Sequence, residues 1–140
     1  MSSFSFCFAE TIVENKTISK ENQIILPSFS VGWTPNENET EKSLLAIVEF
    51  LKDSEITSND EQEKGRRYVL DHFSKYRVQF KGKIKNGQKY ITCNFFPKTD
   101  NFPEWKTNFV TVDGGGWNYF QCNYNVVMNR VEGCGGGGNR

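Results

Sequence analysis

The chain has 140 residues and no net formal charge, with 17 Lys and Arg against 17 Asp and Glu; that is the size of one domain with one real core. Aromatic residues make up 14% of it, twelve of them Phe, which excludes the composition of a disordered chain. Balanced charge argues against a protein whose main task is to hold nucleic acid, and no apolar run reaches the roughly 20 residues that cross a bilayer.

The balance hides an asymmetry. Residues 1–63 carry 4 Lys/Arg against 12 Asp/Glu, a net of −8, and residues 64–140 carry 13 against 5, a net of +8. An acidic half packed on a basic half is one reading; a basic face awaiting an anionic partner is the other.

In chain order, Met1–Phe8 has neither a basic region nor a sustained apolar stretch of the secretory type, so the expected compartment is the cytoplasm. The runs Phe4–Phe8 and Ile24–Leu26 read as strands or as extended segments over the core. Thr34-Pro35-Asn36-Glu37 fits a capping box with Pro at the first helical position. Leu44, Ile47, Val48 and Leu51 then repeat at helical spacing, which predicts a helix over 35–53. Residues 54–63 read as a polar, acidic linker. A shorter helix is predicted over 61–75, with Asp60 as its cap and Gly65 costing it roughly 1 kcal/mol of propensity.

The hairpin is the best-specified element. Arg77–Lys85 alternates, Asn86-Gly87 supplies a type I′ turn, and the resulting register puts Lys85 opposite Gln88, Phe80 opposite Cys93 and Val78 opposite Phe95. Val78, Phe80, Ile84, Ile91, Cys93 and Phe95 are therefore expected on one inward face. A loop over 97–106 follows, then strands at Phe109–Val112 and Trp117–Tyr124 joined by Asp113-Gly114-Gly115-Gly116, and a last strand at about Val126–Val131. Residues 1–132 are expected to form one α+β domain, one long helix packed on a curved antiparallel β-meander, with 133–140 as a flexible glycine-rich tail.

Several phrases resemble a group of small bacterial proteins with a cystatin-like fold: Trp33-Thr34-Pro35, Tyr76-Arg77-Val78-Gln79-Phe80, Asn86-Gly87 and Val112-Asp113-Gly114-Gly115. The likeness spans residues 33–125 and implies that fold, but no catalytic motif. Protease inhibition of the cystatin kind is not implied: Gln79-Phe80-Lys81-Gly82 and Pro103-Glu104-Trp105 have the wrong spacing for its two loops, and Gln79 lies within a strand.

No catalytic residue, metal ligand or cofactor is expected. Cys7, Cys93, Cys122 and Cys134 make no CxxC pair and His72 is the sole His, so free thiols are the default rather than zinc. Asp71 and His72, adjacent on a helix, point apart and make no dyad. Asp113-Gly114-Gly115-Gly116 precedes an aromatic strand rather than a helix, so it reads as a turn rather than a phosphate cradle.

The leading expectation is a small non-enzymatic binding module with a protein partner. One alternative is a ligand-binding or enzymatic pocket between helix and sheet, for which a buried polar group on the inner face would speak. The other is single-stranded nucleic acid held on the Lys/aromatic strand face by backbone attraction and stacking. The candidate binding residues are Lys81, Lys83, Lys85, Tyr90, Trp105, Asp113, Trp117 and Tyr119.

Overall fold

A computed structural model describes residues 16–28, 32–53 and 60–136; the run Phe4–Phe8 and residues 137–140 lie outside the described residues. The first helix, α1, is Glu37–Lys52. Its cap is Asn36 rather than Thr34. Asn36 Oδ1 accepts the Glu39 N–H at 2.8 Å while Glu39 Oε1 accepts the Asn36 N–H at 2.9 Å. Both tetrads fit the capping pattern, but the Thr34 hydroxyl is committed to the Ser28 N–H. The box therefore closes two residues later.

The second helix, α2, runs Asp60–Asp71 and stops short of its expected end. A 3₁₀ turn, Phe73–Lys75, swings Phe73 into the core and delivers the chain to the sheet.

Five strands follow the order β1-β2-β3-β4-β5: Gln23–Ile25, Tyr76–Lys85, Gln88–Pro97, Phe120–Asn125 and Arg130–Gly136. The fold is α+β, with two helices and a mixed sheet, because β1 pairs parallel with β2. The expected all-antiparallel meander holds for β2 through β5. Asn86 and Gly87 both have positive φ, and the hairpin register matches the expected one at every named pair.

The inward face of the hairpin is correct in all but one position. Val78, Phe80, Ile91, Cys93 and Phe95 are buried against α1, joined by Phe73, Tyr76 and Phe120. Phe95 and Phe120 stack at 4.3 Å, with Tyr76 edge-on to both. Ile84 shares that face but is 47% exposed, since it lies beside the turn, farther along the hairpin than Gly82, where Trp33 crosses the sheet.

Beyond the hairpin the expectations slip. Residues 109–112 form no strand; they run extended over the sheet's second face, tied down by Gln79 and Asn94. Trp117 belongs to a 3₁₀ turn, Gly116–Asn118, so β4 starts only at Phe120. Residues 126–129 are a turn, and the last strand extends to Gly136. Gly133–Gly136 are thus sheet and not tail. Their glycines pair in register with β4, and a Cβ on Gly136 would lie 3.0 Å from the Gly116 carbonyl oxygen. Cys122 and Cys134 are not free thiols: they face each other in that register and form a disulfide.

Among the described residues, no ion pair reaches across the fold from the acidic half to the basic half. Lys20 with Glu37 and Glu41, and Lys52 with Glu49, stay within the acidic half; Arg67–Glu63 spans one helical turn and Arg130–Glu132 lies along one strand.

Candidate functional site

Leu45 stands off the apolar stripe of α1 and is 57% exposed. Ala46 and Phe50 flank it, half-buried against the core. Across from them the β4–β5 turn brings Val131 of β5 into position, and between the two elements lies an open groove of about 640 Å³. Leu45, Ala46, Phe50 and Val131 give it apolar walls, and Lys42, Glu49 and Arg130 give it a mixed-charge rim. Val127 and Met128 stand beside it on the turn, both exposed.

The groove's far wall is held by side-chain hydrogen bonds. Buried Asn125 accepts the Met128 N–H at 3.0 Å and donates to Gln88 and Glu132. Tyr124 donates its hydroxyl to Asn129, the turn residue with φ of 51°. Burial holds the Tyr124 phenol above its ordinary range, so it remains a donor. A Glu132 bulge between the 123–133 and 124–131 pairs lets that carboxylate reach Asn125 on the sheet's second face. Beyond β5 the sheet has no further strand among the described residues.

Leu45 also borders a second cleft, of about 240 Å³, with Ile18, Leu44 and the Lys20–Glu41 pair. The hydrogen bond to Glu41 comes first among the causes that raise the Lys20 amine above its ordinary pKa. Among the described residues no cluster of His, Cys, Asp and Glu could hold a metal ion.

The residues singled out from sequence do not form one site. Lys81, Lys83 and Lys85 are exposed along β2, and Tyr90 lies opposite Lys83 on β3, so these four share one strip of the second face. Trp105 is buried, with the Arg77 guanidinium 4.7 Å over its ring and Phe96 edge-on. It is part of the cover on that face, which also buries Phe96. Asp113 is exposed just before three positive-φ glycines. Trp117 packs on the helical side against Gly65 and Phe120, and Tyr119 donates to Asp100 beside Gly115. Sequence reasoning passed over Leu45, Phe50 and Val131. The available signals were an apolar residue outside the helical stripe and the run Val126-Val127-Met128, which reads as a strand until Asn129 turns it.

No protein-family model, curated protein or solved structure matches the chain.

Proposed function

We propose that the protein is a small binding module that takes an extended protein segment along the edge of β5, with apolar side chains in the α1–β5 groove. The observation that carries this reading is exposed Leu45 over half-buried Phe50 and Val131, set beside a strand edge that has no neighbour among the described residues. A strand edge offers backbone hydrogen bonds, and a neighbouring apolar groove selects alternate side chains. The adjacent exposed Val127 and Met128 enlarge the apolar contact surface. We further infer a cystatin-like wrap of the sheet around α1, supported by the antiparallel order of β2 through β5. Cytoplasmic residence is part of the proposal, and alkylation of protein taken directly from cells tests it through the state of Cys122 and Cys134.

A panel of synthetic peptides with alternating apolar residues, titrated against the isotope-labelled protein by NMR, tests the binding reading. Binding is expected to shift the β5 and α1 amides and to weaken at least tenfold in both Leu45→Glu and Val131→Glu. Shifts elsewhere, or affinity unchanged in both variants, overturn it.

The Lys strip supports a second reading, single-stranded nucleic acid. Lys81, Lys83 and Lys85 have no carboxylate partner among the described residues, and Lys81 lies 5.7 Å from the Phe109 ring centre. Its mark would be affinity that falls steeply with salt and is lost in Lys81→Ala/Lys83→Ala. An inner pocket has less support: α1 and the sheet are filled against each other by Leu44, Ile47, Val48 and Leu51 on Val78, Phe80 and Ile91. The polar contact there is a satisfied one, Ser43 Oγ at 3.6 Å from Cys93 Sγ.

A further inference from the structure

Three cysteines stand in one row across the sheet. Register sets Cys93 of β3 opposite Cys122 of β4, and Cys122 opposite Cys134 of β5, on the face toward α1. The two-residue turn decides which of these pairs are hydrogen-bonded. Counting from Lys85 and Gln88, which close the hairpin as a hydrogen-bonded pair, Phe80–Cys93 is non-hydrogen-bonded. Cys93–Cys122 is then hydrogen-bonded and Cys122–Cys134 is not. The Val126 N–H bonded to the Lys89 carbonyl at 3.0 Å fits the same alternation. Side chains approach more closely across a non-hydrogen-bonded pair, and that is where the disulfide lies. Cys93 remains a buried thiol.

The bond ties β5 to β4. β5 is an edge strand with a bulge at Glu132 and with glycine at 133, 135 and 136, so its C-terminal half has few side chains to pack. The bond closes a loop with a sequence separation of 12 and so limits the freedom of the strand's open state. The two residues also differ in burial: Cys122 is fully buried, whereas Cys134 is only partly buried at the edge of the core.

We propose that Cys122–Cys134 is a thiol–disulfide exchange site, through which a dithiol reductant releases β5 from the sheet. The reductant's thiolate attacks Cys134 Sγ, the bond to Cys122 breaks, and Cys122 leaves as a thiolate that takes up a proton. The reductant's second thiol then attacks the mixed disulfide. Cys134 departs as a thiol and the reductant as its own disulfide, so two electrons and two protons have passed to the protein. Cys93 takes no part, because it is sealed from solvent and set opposite Cys122 in the wider pair. What leaves is the cover on the β4 edge and on Cys122, whatever the groove binds.

Tryptic cleavage after Arg130 in the native full-length chain, followed by mass spectrometry, reads the release. Dithiothreitol and Cys134→Ser are each expected to speed that cut at least tenfold, while Cys93→Ser behaves as the oxidised wild type and cuts at the β2 and β3 lysines stay slow. Three results overturn the proposal. One is an unchanged rate when alkylation shows both thiols free. Another is acceleration of the hairpin cuts in step with Arg130, which would make the bond a staple for the whole fold. The third is alkylation that finds no bond in the unreduced protein.

Discussion

Asn94 Nδ2 donates to Gln79 Oε1 at 2.9 Å across β3 and β2, and these two amides hold the loop that covers the sheet's second face. Gln79 makes all four of its hydrogen bonds: its Nε2 donates to the Trp105 and Asn108 carbonyls, and its Oε1 also accepts the Val110 N–H. It is fully buried, so no water substitutes for any of them.

Gln79→Glu keeps the shape and loses both donors, aiming a carboxylate at two carbonyl oxygens. The expected cost at neutral pH is roughly 3 kcal/mol or more, from a buried charge with no counter-ion and one oxygen facing two carbonyls. Its folded pKa is raised, so the lost stability returns as pH falls toward the ordinary carboxyl range. Urea unfolding at pH 4 and pH 7 checks the sign: the deficit must shrink at pH 4.

Gly65→Ala would ordinarily favour a helix by about 1 kcal/mol. Here the Trp117 indole lies on Gly65, and a Cβ would fall 2.1 Å from Nε1. The substitution is expected to destabilise by about 1–3 kcal/mol, as overpacking does, and to shift tryptophan fluorescence. Thermal unfolding with that signal reads both.

Gly82→Ala should be worse, because the obstruction is backbone. A Cβ there would lie 2.1 Å from the Trp33 carbonyl oxygen, where the segment leading to α1 crosses β2. The same segment is tied by Trp33 Nε1 to the Lys83 carbonyl, and Ser28 Oγ to that of Gly82. A loss of about 3 kcal/mol is expected, with amide exchange rising first across 32–36. Wild-type exchange rates in that segment would contradict the crossing.

Alkali should unfold the protein through groups that the fold keeps neutral. Burial pushes the Cys93 thiol up to about 12, and burial raises the Tyr76 phenol as well, its hydroxyl donating to the Trp117 carbonyl. Both folded pKa values exceed the unfolded ones. Their contribution is therefore complete below the unfolded thiol pKa of about 8.5 and is lost as pH rises through 12. The denaturant midpoint is expected to fall steadily from pH 9 to pH 11, less steeply in Cys93→Ala. Equal slopes in the two proteins would refute the assignment to the thiol.

Local chemistry determined the hairpin, because Asn86-Gly87 accepts positive φ and two alternating strands agree on one register. It determined α1 as well, through the stripe from Leu44 to Leu51, though not which of two overlapping capping boxes closes. Tertiary contacts decided the remainder. Val110 reads as a strand residue, yet its backbone bonds to side chains of Gln79 and Asn94 that no local pattern couples to it. Gly133, Gly135 and Gly136 have no side chains to signal a strand, and only the β4 register with the Cys122–Cys134 bond makes that segment one. The groove is likewise invisible locally: Leu45 and Val131 lie 86 positions apart in number, and an apolar residue becomes a candidate contact only once the sheet order leaves β5 without a further neighbour among the described residues.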